Sequence, residues 1–501
     1  MQLMSQFSTV LKKYVSKSDI SIQTLSKTSG VDRSFIHHIL TGKRIPADKE
    51  VLENIMRALT LVPAQADELR NLYFIERIGK DLYQRNLLIK NMLENLVGFD
   101  SSPPMIPTSY NHDFTAYPAA TMLKGALNIN TVLKAVLEEE SSKENGYVKL
   151  LIQPDYQFLM DLLLTIGNSD TSLKIEHIFC LQKDTKEESD TLDNLTSFQS
   201  VLPLLLSCPH YEAYTYYDNI DSKFDTTSVF PYIIITSYIV IGISHNYQHA
   251  ALYIDEGFHQ VYHEIYSNIF RRCSPLAKKA IDPLEYYTQY SILNQVMSDG
   301  KNDLSFTSSL FAQPRLIFFL TNDYLNKYIL DLPIKNEVKA LLSKQSNLYY
   351  EKLKNGYEYT SFFTIEGLDA FWNTGRITEI PDEFYAPIKK EDCLNLLKKL
   401  YESISKTSYK ACIINTSKLR ITDKLVITAI NETITFFMYI HPVKGMFHLA
   451  LNEPGISASI FQFLTLLKES DFIYSEEETQ KILLSKIEEF ENELKERKRE
   501  A

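Results

Sequence analysis

Four histidines at regular spacing are the first residues of this chain whose type could carry chemistry. They form His245-x3-His249 and His259-x3-His263, with Asp255, Glu256 and Glu264 nearby. Two imidazoles four apart on a helix share a face and can hold one metal ion. Only the second pair falls in a convincing helix, no HExxH is present, and Tyr, Phe and Ile crowd the region. Ligand types and spacing therefore favour core or surface histidines, and no metal ligand is assigned. A second group has a different chemistry. "GVDRSFIHHILTGKRIP" (30–46) places two histidines, two arginines and a lysine around one short helix. Such groups suit hydrogen bonds to base edges and phosphates. His37 and His38 diverge by about 100° as helix neighbours, so they would share a metal poorly. No Gly-rich phosphate loop, Ser-His-Asp order or kinase signature is present. No catalytic residue and no cofactor is assigned.

The elements that must position this second group are legible. Phe7, Val10, Leu11, Tyr14 and Val15 make one helical stripe. Ser21 suits an N-cap, with Ile22 and Leu25 facing inward. Ser29-Gly30 supplies a tight turn, since Gly accepts positive φ. Asp32 can cap the next helix, in which Ile36, Ile39 and Leu40 point to the core and Arg33, Ser34, His37 and His38 face out. Gly42 ends that helix and Pro46 prevents its continuation. A fourth helix carries Val51, Leu52, Ile55, Met56 and Leu59, and a fifth starts near Pro63.

Two short helices joined by a tight Gly turn describe a helix-turn-helix. "IQTLSKTSGVDRSFIHHILTGKRIPADKEVLENIMRAL" resembles the Cro/C1 (XRE-type) helix-turn-helix of phage repressors and bacterial regulators, over roughly residues 5–75. The likeness lies in the leucine of the second helix, the Gly-Val turn, the aliphatic residue of the third helix and the following G-K-R-x-P. Ser26 departs from the usual Ala, and Thr41 from the acid or Arg common before the Gly. The resemblance implies a third helix in the major groove, with Arg33, Ser34, His37 and His38 reaching bases. It implies that Gln23, Thr24, Lys43 and Arg44 hold phosphates.

Charge agrees with such a head. Residues 1–60 hold nine Lys/Arg and five acids, a net of +4, so the remainder carries −15 of the chain's total of −11. A basic head on an acidic body suits a protein that meets a polyanion with its head only. The 501 residues are 45% hydrophobic and 23% charged, enough for two to four domains with sizeable cores. Five Cys without a CxxC give neither a disulfide framework nor a thiolate zinc site, and suit a reducing cytosol. The segment MQLMSQFSTVLKKYVSK is interrupted by charge, unlike a secretory signal. The most apolar run, FPYIIITSYIVIGIS (230–244), is shorter than the ~20 residues of a membrane helix and reads as two buried strands.

Beyond a Pro-rich linker at 98–118, helical and strand patterns alternate, which argues for an α/β body. TMLKGALNINTVLKAVLEEE reads as helix, YVKLLIQ as strand, QFLMDLLLTI as helix and SLKIEHIFCLQ as strand. An internal repeat follows. Residues 231–270 and 423–467 both read strand, tight turn, strand, loop, helix, sharing ITS at 235–237 and ITA at 427–429. Each copy is preceded by a short strand with an Asn-Ile or Ile-Asn pair, Asn219-Ile220 and Ile414-Asn415. Two related halves commonly leave a pocket at their junction. The repeated order resembles the phospholipase D-like fold, but that family's His-x-Lys-x4-Asp is absent from both copies. The resemblance therefore implies a sensor or scaffold rather than an enzyme. Trp372 in "FFTIEGLDAFWNTGRITEIPDEFYAP" is expected to pack rather than to form a ligand lip. The charged tail helix, with Leu483, Ile487, Phe490 and Leu494, is expected to pack on the body or on a second subunit.

The expected architecture is an all-α lambda-repressor-like helix-turn-helix head (1–80), a helical and Pro-rich linker (81–118), α/β halves at 119–300 and 301–475, and a charged C-terminal helix (476–501). The expected protein is a cytoplasmic, homodimeric regulator that binds operator double-stranded DNA. Its body would mediate dimerisation and sense a small-molecule or peptide effector, without a membrane. The rivals are a metal-dependent or phospholipase D-like enzyme with a DNA-binding head, and a non-catalytic protein-interaction scaffold.

Overall fold

The computed structural model describes residues 5–99, 114, 117–169, 172–183, 189–218, 229–282 and 306–500. Most of the 98–118 segment read as a linker, and the Asn219-Ile220 pair, lie outside the described residues. The chain forms two compact units, Met1–Leu88 and Ile89–Ala501. The first contains helices α1 (Gln6–Lys17), α2 (Ile22–Ser29), α3 (Arg33–Leu40), α4 (Lys49–Ala58) and α5 (Pro63–Ile78). Their apolar stripes meet in one core that includes Phe7, Leu11, Leu25, Ile36, Ile39, Leu52, Ile55 and Leu69. Helix α6 (Lys80–Asn95) follows.

The second unit is an α/β body with two mixed sheets. One sheet holds β1 (Ala120–Lys124), β2 (Tyr147–Leu151), β3 (Lys174–Gln182), β4 (Tyr211–Asp218), β5 (Tyr232–Ile235), β6 (Val240–Ile243), β7 (His249–Tyr253) and β8 (Ser274–Pro275). The other holds β9 (Ala277–Ala280), β10 (Phe306–Leu310), β11 (Glu358–Phe363), β12 (Tyr409–Ile413), β13 (Leu425–Asn431), β14 (Ile434–His441) and β15 (Gly445–Leu451). Their orders are β1-β7-β6-β5-β2-β3-β4-β8 and, reversed, β9-β15-β14-β13-β10-β11-β12. Over seven strands, from β1 to β4 and from β9 to β12, the two orders and directions coincide. β2-β3-β4 and β10-β11-β12 are parallel. β5-β6-β7 and β13-β14-β15 are antiparallel meanders joined antiparallel to β2 and β10. Even the β4–β8 pairing has a counterpart in the bridge between Ile414 and Ile473.

The helices continue this order. They are α7 (Ala126–Ser141), α8 (Gln157–Asn168), α9 (Ser189–Ser207) and α10 (Glu256–Phe270) in the first half. The second half has α11 (Asn322–Tyr328), α12 (Lys335–Lys354), α13 (Ile365–Thr374), α14 (Lys390–Lys406), α15 (Pro454–Leu467) and α16 (Glu476–Glu500). The 230–244 run does form two strands, β5 and β6. Two local expectations are corrected. TMLK belongs to strand β1 rather than to the helix that follows, because its backbone pairs with β7 across more than a hundred residues. The loop expected in each repeat is a third strand, β7 or β15, ahead of the helix.

A further sign of duplication is Gln-Pro just past the first parallel strand of each half. The Gln153 side chain donates to Cys180 O (3.1 Å) and accepts from Cys180 N (2.8 Å). The Gln313 side chain donates to Arg376 O (3.2 Å) and accepts from Thr378 N (3.1 Å). Both amides tie the end of their strand to the neighbouring segment, satisfying backbone groups that burial would otherwise leave unpaired.

The halves are joined at the C-terminal ends of α8 and α9 and the start of β4. Lys279 Nζ donates to Cys208 O (2.7 Å) and Tyr211 O (2.8 Å), and Lys444 Nζ donates to Gly167 O and Ser207 O. Cations belong there, because the last carbonyls of a helix carry partial negative charge. Trp372 is fully buried, stacked on Phe490 of α16 at 4.6 Å, with its indole N–H donating to Glu493 (2.7 Å). The tail helix accordingly packs on the body, burying Leu483, Ile487 and Phe490.

His177 in β3 makes the body acid-sensitive. It is wholly buried, its ring N–H donating to Ile152 O (3.0 Å) while its other nitrogen meets the Tyr211 hydroxyl (2.8 Å). Burial lowers its pKa from 6.5 to about 4. Between those values the unfolded chain binds the proton and the folded chain does not. The contribution of His177 to stability is complete above pH 6.5 and is lost as the pH drops toward 4, a change of about 3 kcal/mol. Urea unfolding between pH 7 and 4 should show this loss, with a slope shallower by about one proton in His177→Gln; equal slopes would refute it.

Candidate nucleic-acid interface

The candidate interface is built on α2 and α3 and on the caps that orient them. Ser21 Oγ accepts from Thr24 N (3.1 Å), starting α2. Gly30 ends it in the left-handed region at φ 71°. Ser26, the departure from Ala, donates its hydroxyl to Val31 O (2.6 Å) and closes the same turn. Asp32 then accepts from Ser34 N (2.8 Å) and Phe35 N (3.0 Å), capping α3.

At the other end of α3, Gly42 at φ 73° allows a paired C-cap. Gly42 N donates to Ile39 O (3.1 Å) and Lys43 N to His38 O (3.0 Å). Arg44 N also donates to His38 O (3.3 Å), so Lys43 and Arg44 are folded back onto the end of α3. Thr41, the other departure, donates its hydroxyl to His37 O (2.9 Å).

Arg33, Ser34 and His37 are exposed on α3, and His38 is half-buried, its ring 6.3 Å from that of His37. Gln23 and Thr24 on the first turn of α2, and Lys43 and Arg44, are exposed as well. Thr24 Oγ1 lies 2.9 Å from Ser21 Oγ.

One positioning residue went unnoticed in the sequence. Ser8 of α1 is fully buried and donates its hydroxyl to Ile39 O (2.7 Å). This pins the C-terminal turn of α3 to α1. A lone serine on an apolar stripe gives no local hint of such a partner 31 residues away. Ser8→Ala should cost about 1 kcal/mol, read as a roughly five-fold fall in hydrogen-exchange protection of the α3 amides in the full chain. Unchanged protection would show that the bond contributes nothing.

The four body histidines lie elsewhere and do not converge. His259 and His263 share a face of α10, with ring centres 4.9 Å apart. His259 donates to Thr236 O (2.9 Å), and His263 Nε2 lies 3.2 Å from the Tyr147 hydroxyl. Burial, Lys149 and His259 hold His263 below its ordinary pKa. His245 is 3.1 Å from the Tyr232 hydroxyl, and His249 is exposed on β7. Among the described residues, no three His, Cys, Asp or Glu side chains are grouped to hold a metal ion. Nor, among them, is any helix long and apolar enough to cross a membrane.

An open cleft of about 590 Å³ is lined by Phe318, Asn322, Tyr350, Lys399, Glu402 and Lys406 among others. All its lining residues belong to the second half, not to the junction.

No protein-family model and no curated protein matches the chain. Solved structures with a weak likeness include TrmBL2, an archaeal chromatin protein with a novel mode of DNA binding. It is 13% identical, matched over 43% of this chain and 72% of that one, at a TM-score of 0.22. Another is phosphatidylserine synthase from Haemophilus influenzae Rd KW20, 9% identical, matched over 81% of this chain and 98% of that one, at a TM-score of 0.23. Likenesses this weak carry no argument about fold or activity.

Proposed function

We propose that this protein is a sequence-specific DNA-binding regulator whose head is a Cro/C1-type helix-turn-helix. The observation that carries the reading is the outer face of α3. Arg33, Ser34 and His37 stand exposed on a helix fixed at both ends by Asp32 and Gly42, within a head of net positive charge. A short rigid helix with polar residues on its N-terminal turns suits base-edge recognition in a major groove. Gln23, Thr24, Lys43 and Arg44 take phosphate contacts in this reading, fixing register.

Operators for such heads are usually palindromic, which supports reading the protein as a symmetric dimer. The body is read as non-catalytic, since His-x-Lys-x4-Asp is missing from both repeats. Its 590 Å³ cleft falls in the size range of small-molecule sites and mixes aromatic and charged walls, which supports effector binding there.

The test is fluorescence anisotropy on DNA selected from genomic fragments, with scrambled DNA as control, at two salt concentrations. Specific binding that weakens steeply with salt is expected. Selection that yields no preferred site would overturn the reading.

A further inference from the structure

The duplicated topology offers an internal comparison between α10 and α15, which follow β7 and β15 in the two halves. Their starts align residue by residue. Asp255 caps α10 by accepting from Phe258 N, and Glu453 caps α15 by accepting from Ile456 N. Gly257 and Gly455 occupy the same second position. Phe258, Val261 and Ile265 thus correspond to Ile456, Ser459 and Phe463.

In the second half these positions are 1%, 1% and 3% exposed, and α15 lies between β10, β13, β14 and α9. In the first half they are 43%, 54% and 40% exposed. Three apolar residues spaced three and four apart form one stripe along a helix. The inner face of α10 is occupied normally, Tyr266 being buried against β-strand residues such as Ile178 and Ile233. The outer stripe is what remains.

The apolar surface extends past the helix. Phe258 packs on Tyr253 at 4.6 Å, and Tyr262 packs on the same ring at 5.4 Å. Tyr253 stands opposite Ala120 in the β1–β7 ladder, which puts Met122 on the same sheet face, 58% exposed on the edge strand. A contiguous apolar patch on a folded chain marks a contact surface.

We infer that this patch is the two-fold interface with a second copy of the same chain, α10 packing antiparallel on its mate. Charge selects the occupant. The N-terminal end of α10 carries Asp255 and Glu256, and its C-terminal end carries exposed Arg271 and Arg272. A two-fold axis near Val261 and Ile265 sets the acidic end of one copy beside the basic end of the other, twice over, and opposes the helix dipoles favourably. Within the chain, the equivalent helix α15 does have a helix, α9, packed against it. The inference rests on the body alone and does not depend on the DNA reading.

The test is sedimentation equilibrium of the full chain at micromolar concentrations. Wild type should have twice the 57.9 kDa chain mass. Val261→Glu/Ile265→Glu should be monomeric, with far-UV circular dichroism unchanged because both side chains are exposed within one copy. Its melting midpoint should be lower than wild type's and independent of protein concentration, because the stabilisation that association supplies is lost. Arg271→Glu/Arg272→Glu should dissociate roughly ten-fold more readily than wild type. A monomeric wild type would overturn the inference. So would a dimer that survives the Val261/Ile265 substitutions, since its interface would lie elsewhere. Operator affinity of the monomeric variant is a separate readout: weak residual specific binding leaves the head's reading intact while the dimer is lost.

Discussion

An Arg33→Ala/His37→Ala variant is expected to bind selected operator DNA about 100-fold more weakly than wild type, and to fold identically. Each good base-edge contact contributes about 1–3 kcal/mol of discrimination, so losing two at the low end of that range, about 2.7 kcal/mol together, puts the effect near 100-fold. Both side chains are exposed and neither supports the core of Phe7, Leu25, Ile36 and Ile39, so the melting midpoint should not move. Lys43→Ala should behave differently. A phosphate contact carries no sequence information, so its loss should weaken specific and scrambled DNA alike and lower the salt slope by about one. The comparison is made by anisotropy at 50 and 200 mM salt (values on the order used to resolve counterion release). If the double variant lost no preference for operator over scrambled DNA, α3 would not be reading bases.

Arg315→Ala is expected to destabilise the body by about 3–5 kcal/mol, the cost of leaving a buried charge without its partner. Arg315 and Glu379 are both buried, with Nε and Oε1 2.7 Å apart, and the guanidinium also donates to Thr428 Oγ1 (3.3 Å). Burial raises the Glu379 pKa, and Arg315 opposes that rise. Without Arg315 the carboxyl must take up a proton or remain charged in an apolar wall that includes Ile317, Val426 and Phe436. Arg315→Met/Glu379→Leu should recover most of the loss, because a pair of similar apolar volume has no charge to desolvate. Urea unfolding of both variants at pH 7 measures this. A single variant within 1 kcal/mol of wild type would mean that the pair is dispensable to the fold.

The sequence by itself determined the head's elements. Ser21, Gly30, Asp32 and Gly42 act on atoms within a few residues of themselves, so each helix end could be read without knowing what surrounds it. The same locality made β5 and β6 legible, since a short apolar run with a tight turn pairs with itself. The exposed face of α3 followed from the periodicity of its core residues.

Tertiary structure decided the rest, wherever a residue's role depends on a distant partner. TMLK is a strand only because β7 lies beside it, and four residues carry too little pattern to announce that. Ser8 is a brace through Ile39, and Arg315 is tolerable in the interior through Glu379, 64 positions away. The repeat was visible in the sequence, but the identity of the two strand orders was not, because strand order comes from long-range pairing. Equivalent helices then met different fates: Phe463 is covered and Ile265 is not. An apolar stripe shows only that a side chain gains by leaving water; which surface removes it from water is settled by assembly in three dimensions.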